Sequence, residues 1–472
     1  MKRLVSSTEE TIRLIVALPA VIALAVMVRA YADRASEHIV PYLSTFYPKE
    51  VAVLDHLPWW KFLLPLEVLG GRWGTTGFLL VHWLEKIFAE PDTFYLLTAV
   101  MVALGYVLTW LTFRSFSMAI LVGVALATTT FNYHVYSVPG SVVMLPLISF
   151  LLVFGYCQIA WLRTAAHSWV WGAATVVACV LFALAYEGWL DLVPLAWIVY
   201  PALAWHFRRI GDPGRSRRCL LLLGLVTSVA LAYTTIKVLF GLGELHPLGG
   251  EADLIFTYGR DHKLLMFEDI LSSFITFFFT TITTYLPPEL FSFSLSLWKY
   301  GPEKIVALQE GYHAQAAHLT RYNHLFLWRY YAGFALALFL MAYWKVVKTF
   351  FKQGNVYHLV LFVLMTSTLI GSPTHLIIKW RPMHAAPLLG YQVYLSVIGW
   401  TLLLCYVVGR KCDALEDKRG LAMASLLVLN FVYCAYARPA LLSHMSREVF
   451  LGTYPDPRKN LRLPRFIGLR PD

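Results

Sequence analysis

The chain has 472 residues, of which 58% are hydrophobic and 14% charged, with a mean hydropathy of +0.61. That composition excludes an ordinary soluble domain, in which about a quarter of the residues are charged. The formal net charge of +11 does not point to nucleic acid, because the basic residues stand at the ends of apolar stretches and not on a soluble face. They are the kind of flank that meets anionic lipid.

A helix crosses the hydrocarbon of a bilayer with about 20 residues. Apolar stretches near that length run, in chain order, over residues 11–31, 94–113, 117–131, 138–159, 169–186, 190–205, 220–239, 330–343, 357–370, 388–408 and 421–437. The expected fold class is therefore all-α, a polytopic transmembrane helical bundle of about 11 spans. No small-residue cleavage site follows the first stretch, so it reads as a retained span and not a signal peptide.

Orientation follows from the cations. With the N-terminus inside, Lys2, Arg3, Arg163, the cluster Arg208, Arg209, Arg215, Arg217 and Arg218, then Lys345, Lys348 and Lys352, and finally Arg410, Lys411, Lys418 and Arg419 all face the cytoplasm. The apolar segment 270–286, closed by Pro287 and Pro288, would invert everything after it if it crossed. It is therefore expected to be re-entrant or interfacial, a form that lines a polar cavity. Outer loops then cover 32–92, 241–329 and 371–387. Residues 1–437 make one membrane domain and 438–472 a basic C-terminal tail. No internal repeat marks two related halves, as a transporter would show.

The six cysteines fall in spans or at their inner ends, so neither a disulfide framework nor a cysteine metal site is expected. A metal set is conceivable from His313, His318 and His324, but His313 and His318 are five apart, not at the spacing of a helical ligand pair. No metal is expected.

Acids at the outer boundary carry the chemistry. Asp33 stands two residues past the first span, followed by Glu37; Asp55 and Glu67 lie further on, and Glu187 and Asp191 share a helical face by their spacing. A carboxylate at a membrane boundary is costly unless it is solvated, paired or working. In a partly desolvated cavity it gains the basicity that a general base for a hydroxyl nucleophile needs. Opposite in sign, Lys379 and Arg381 in the outer turn 371–387 run against the positive-inside bias, with His384 close behind. Arg381 can fork onto phosphate oxygens and Lys379 can add a point charge, or both can pair with Asp33, Glu187 or a headgroup. Arg260 and Arg321 are further candidates for that role. Trp59, Trp60 and Trp73 are placed to stack on a sugar or cradle a polyprenyl chain. No phosphate-binding glycine loop and no G-x-S-x-G elbow occurs, so a donor substrate is expected to arrive through the membrane.

This layout resembles the GT-C superfamily of membrane glycosyltransferases, which use polyprenyl-phosphate sugars. The likeness rests on a first span followed by Asp33, an outer loop with amphipathic segments near 51–69 and 75–88, the outer turn Phe131-Asn132-Tyr133-His134-Val135-Tyr136, and the proline-flanked Lys379-Trp380-Arg381-Pro382. It departs from the superfamily in one respect: a single Asp33, with Glu37 four residues on, replaces an adjacent acid pair. The resemblance implies that Asp33 deprotonates an acceptor hydroxyl, with Glu37, Asp55 or Glu187 as the second acid. It further implies that Lys379 and Arg381, with His384 and Arg321, receive the departing polyprenyl phosphate, with inversion at the sugar.

The expected partners are a lipid-linked sugar donor, a glycan, lipid or protein acceptor, and membrane lipids, with no cofactor beyond the donor. Short arginine-rich loops place the chain in a bacterial inner membrane with its site facing the periplasm. Three other readings stay open, one of them a structural membrane subunit in which Asp33, Lys379 and Arg381 would tolerate neutral replacement. An O-antigen-type polymerase or ligase would work through Arg260, His262, His313 and Arg321, and a transporter or flippase would use broken helices such as 270–286.

Overall fold

The computed structural model describes residues 2–35, 75–88, 90–128, 144–164, 168–185, 189, 192–240, 337, 340–341, 343–352, 422, 424–429 and 431–432. Among them no strand occurs. Eight helices follow in order: α1 (Lys2–Ala35), α2 (Thr75–Ile87), α3 (Glu90–Phe113), α4 (Phe116–Thr128), α5 (Met144–Arg163), α6 (Ser168–Ala185), α7 (Leu192–Arg209) and α8 (Pro213–Phe240). A further helical segment covers 343–352.

Five of these are long and apolar enough to cross a membrane: Thr11–Val28 within α1, Asp92–Phe113 in α3, Leu145–Arg163 in α5, Ser168–Ala185 in α6 and Pro213–Ile236 in α8. Their outward faces stay apolar, with Ile15, Val16, Val177 and Leu231 exposed, as expected where lipid replaces water as the solvent. The chain is a helical, multi-pass membrane protein. Several hydroxyls inside the apolar helices are satisfied locally. Thr112 Oγ1 donates to the Leu108 carbonyl at 2.7 Å, Thr128 Oγ1 to Val124 at 2.7 Å and Thr175 Oγ1 to Trp171 at 2.7 Å. This return bond to the preceding turn lets a polar residue sit in a span without an orphaned donor.

Two expected spans differ from the helices found. α4 has 13 residues and is buried along almost its whole length, so at about 20 Å it is shorter than a bilayer core of about 30 Å. α7 carries Pro201 within it and His206, Arg208 and Arg209 in its last turn, which shortens its apolar part. The expected spans 357–370 and 388–408, the segment 270–286 and the tail 438–472 lie outside the described residues, while 330–343 and 421–437 are described in part, as helix at 337, 340–341, 343, 422, 424–429 and 431–432.

α4 is the inner element, packed against both α1 and α3. Small residues allow this. A Cβ built on Gly123 would stand 2.8 Å from Val21 Cγ1 of α1 and 3.2 Å from Tyr106 of α3, so the three helices approach where no side chain intervenes, the usual device of membrane packing. Tyr106 then donates its hydroxyl to the Leu14 carbonyl at 3.0 Å, tying α3 to α1. Gly123→Ala is expected to force these helices apart and to destabilise the protein by about 1–3 kcal/mol, the usual cost of overpacking. A lowered unfolding midpoint in detergent reads this out; an unchanged midpoint would mean that Val21 can turn aside.

Pairwise contacts set the direction of each helix. Arg163 Nη1 at the end of α5 donates to the Thr112 carbonyl near the end of α3 at 2.8 Å, so these two finish at the same side. Trp161 Nε1 donates to Ser168 Oγ at 3.1 Å where α6 begins, and Ser216 Oγ near the start of α8 donates to the Ala204 carbonyl near the end of α7 at 2.8 Å. With Tyr106 reaching Leu14, α1 starts at this side too. The bundle therefore has a basic end, holding Arg114, Arg163, Arg208, Arg209, Arg215, Arg217 and Arg218. At the opposite end α1 and α6 finish and α3, α5 and α7 begin.

Candidate functional site

Asp33 lies on the last turn of α1, which continues to Ala35. The expectation was a residue already in a loop. Nothing in Ala32-Asp33-Arg34-Ala35 breaks a helix, so the span's helix runs on and carries Asp33 beyond the apolar window that ends at Val28. This is the end of the bundle opposite the arginine cluster of α5, α7 and α8, with Arg29 and Arg34 of α1 near Asp33 itself.

Glu187 lies outside the described residues, as do Tyr186 and Gly188, whereas Ala185 and Trp189 are described. Ala185 ends α6, and Trp189 is only 2% exposed and packs edge-on against Tyr233 of α8, with ring centroids 5.7 Å apart. The link between α6 and α7 is thus anchored to α8 two residues after Glu187. α1, by contrast, packs on α3 and α4. Asp33 and the anchor beside Glu187 therefore share an end of the bundle while resting on different helices.

Among the described residues, buried polar atoms without a partner occur at both ends of the bundle, with Trp110 Nε1 and His206 Nε2 at the basic end and three more on the Asp33 side. Thr93 and Thr98, in the first turns of α3, are fully buried, and their Oγ1 atoms have no hydrogen-bond partner among the described residues; the same holds for Trp189 Nε1. Such groups cost about 1–3 kcal/mol each when left unsatisfied, which favours a polar partner for them at the Asp33 end. Thr93 and Thr98 carry no motif that marks them in the sequence. Their only signal is a hydroxyl in an otherwise apolar stretch.

The remaining expected site residues, Glu37, Asp55, Arg321, Lys379, Arg381 and His384, lie outside the described residues, as do Arg260, His262, His313, His318 and His324. α2 falls where the amphipathic segment 75–88 was expected. It buries Leu79, Val81 and His82 and leaves Trp83, Ile87 and Phe88 exposed, packing chiefly on α6. The segment 51–69 is not among the described residues. Cys157, Cys179 and Cys219 are buried free thiols.

The basic end is built differently from a simple lipid-facing flank. Arg215 Nε donates to the Leu162 carbonyl at 2.9 Å, and Arg218 Nη1 donates to the Trp161 and Thr164 carbonyls at 2.6 and 2.8 Å. With Arg163 on Thr112, three arginines satisfy carbonyls that the C-terminal turns of α3 and α5 leave without intrahelical donors. The α7–α8 corner that delivers them is closed by Gly211 at φ +80°. The Gly211 N–H reaches the Arg208 carbonyl at 3.2 Å and the Asp212 N–H reaches Phe207 at 2.9 Å, the paired bonds of a glycine-ended helix. Asp212 Oδ1 then accepts the Arg215 N–H at 3.0 Å and caps α8. Against the same corner sits segment 343–352, with Phe350 4.6 Å from the His206 ring and Phe351 5.9 Å from Trp205. No family model and no curated protein matches this chain.

Proposed function

We propose that the chain is an integral-membrane glycosyltransferase that moves a sugar from a polyprenyl-phosphate donor to an acceptor hydroxyl on the non-cytoplasmic face. The observation that carries this reading is the position of Asp33 on the last turn of α1, at the end of the bundle away from the arginine cluster of α5, α7 and α8. By the positive-inside rule the basic end faces the cytoplasm, which leaves the Asp33 end outside. Trp189, two residues after Glu187 in sequence, packs on Tyr233 near that same end, which supports Glu187 as a candidate second acid.

In the proposed reaction the Asp33 carboxylate takes the proton of the acceptor hydroxyl. The oxygen attacks the anomeric carbon as the bond to the phosphate breaks, and the sugar inverts. Glu37, Asp55 or Glu187 orients the acceptor. Lys379 and Arg381, aided by His384 and Arg321, receive the charge of the departing polyprenyl phosphate; a guanidinium suits that role by forking onto two oxygens. The donor is the substrate, and no other cofactor enters.

The test is release of free polyprenyl phosphate by the purified full chain offered a panel of polyprenyl-phosphate sugars. Release that depends on both donor and acceptor is the expected result. Release of free polyprenyl pyrophosphate from a polyprenyl-pyrophosphate-linked glycan donor would instead favour the polymerase or ligase reading. Movement of lipid between leaflets without bond cleavage would favour a flippase.

A further inference from the structure

Three of the arginines at the basic end are spent on helix carbonyls; others are not. Arg208 and Arg209 close α7 and Arg217 lies in the first turns of α8, and all three are exposed. Asp212 is the sole carboxylate in residues 205–220 and 343–352, and it is already engaged, capping α8 and standing 3.5 Å from Arg215 Nε. The facing segment adds Lys345, Lys348 and Lys352, all exposed, at spacings that place them on one side of a helix. The corner therefore carries a surplus of fixed positive charge that its own acid does not neutralise.

What borders this charge is apolar. Trp205 is 57% exposed with Arg209 5.6 Å above its ring, Ile210 follows at 52%, and Leu220 and Leu221 are 53% and 51% exposed. Leu220 and Leu221 lie three and four residues beyond Arg217 on α8, one helical turn along the same face. Trp344 stands exposed beside Lys345. Cations at one level and an exposed apolar strip one turn deeper match an amphiphile, not a soluble polyanion. Guanidinium groups suit phosphate oxygens, and tryptophan suits the headgroup boundary.

We infer that the α7–α8 corner together with segment 343–352 is a binding site for an anionic diacyl phospholipid of the adjoining leaflet. Arg208, Arg209 and Arg217 hold its phosphate, and its acyl chains lie along Trp205, Leu220 and Leu221. The site lies at the opposite end from Asp33 and does not depend on the proposed transferase reaction.

Native mass spectrometry of the full chain, with phosphatidylglycerol or phosphatidylcholine added to detergent, tests this. Phosphatidylglycerol is expected to bind in preference to phosphatidylcholine. A basic side chain near an anionic surface contributes about 1 kcal/mol, so the Arg208→Gln, Arg209→Gln, Arg217→Gln triple variant should bind phosphatidylglycerol about 100-fold more weakly. The Arg→Lys triple should retain most of the binding, and Lys86→Gln, on α2 at the other end, should retain all of it. Matched unfolding midpoints in detergent alone would separate loss of binding from loss of fold. Equal binding of the two lipids, or undiminished phosphatidylglycerol binding by the Gln triple, would overturn the site. Competition by glycerol phosphate as strong as by the lipid would also overturn it, since that would assign the corner to a soluble phosphate.

Discussion

Asp33→Asn is expected to lower the rate of polyprenyl-phosphate release by about 10²–10⁴-fold, the usual contribution of a general base. The substitution keeps size and shape and removes only the ability to take a proton. Asp33 lies on the last turn of α1, past the apolar window that ends at Val28, so the helix packing around Leu14, Val21 and Tyr106 should be untouched. The loss should therefore fall on kcat, with KM for the donor little changed, because the proton moves only in the transition state. Single-turnover release compared between wild type and variant measures it. An unchanged rate would remove Asp33 from the chemistry and favour a site built from the loop arginines and histidines. A parallel loss in Glu187→Gln with Glu37→Gln unaffected would identify the second acid.

Arg218→Ala should be the most damaging substitution at the basic end. Its Nη1 serves the Trp161 and Thr164 carbonyls at 2.6 and 2.8 Å, and its removal leaves the C-terminal turn of α5 without those donors. Hydrogen bonds from a charged group are worth about 1.5–3 kcal/mol each, but this side chain is partly exposed and water can replace some of the loss, so a cost of about 2 kcal/mol is expected. Reversible unfolding in mixed detergent micelles measures it. Arg218→Lys should recover only part, since an ammonium lacks the planar fork. Adding Arg215→Ala should cost less than its single effect, because both side chains cap the end of α5. Full stability in Arg218→Ala would mean that water caps those carbonyls equally well.

These two residues also mark where sequence reasoning reached and where it stopped. Long apolar stretches announce a membrane helix directly, because the hydrocarbon demands about 20 apolar residues whatever the neighbours are. α3, α5, α6 and α8 therefore lie close to where they were expected, with ends displaced by a few residues. α5 was expected over 138–159 and is found at Met144–Arg163, because its last turn includes Arg163, a cation that hydropathy reads as outside a span. Arg163 stays helical while its guanidinium turns to the Thr112 carbonyl. α7 extends past its expected end at residue 205 for the same reason, taking in His206, Arg208 and Arg209.

The acids at the outer boundary were visible as charges out of place; their geometry was not. That Asp33 rides on helix, that Trp189 plugs against Tyr233, and that Thr93 and Thr98 are buried beside the start of α3 all depend on contacts between segments far apart in the chain. The arginines make the point most clearly. In sequence, Arg163, Arg208, Arg215, Arg217 and Arg218 are equivalent members of a cytoplasmic flank. Position in the fold divides them into those that cap α3 and α5 and those left exposed.

The sequence by itself determined that the chain is helical, that it lies in a membrane and which helix ends gather at a basic side, because hydrophobic length and the placement of charge are local properties. Only the tertiary structure decided that α4 is buried between α1 and α3 at Gly123, and which cations serve carbonyls and which stay exposed. Those outcomes depend on how closely two backbones approach and on which unsatisfied carbonyl lies within reach of a guanidinium, and neither distance is written along the chain.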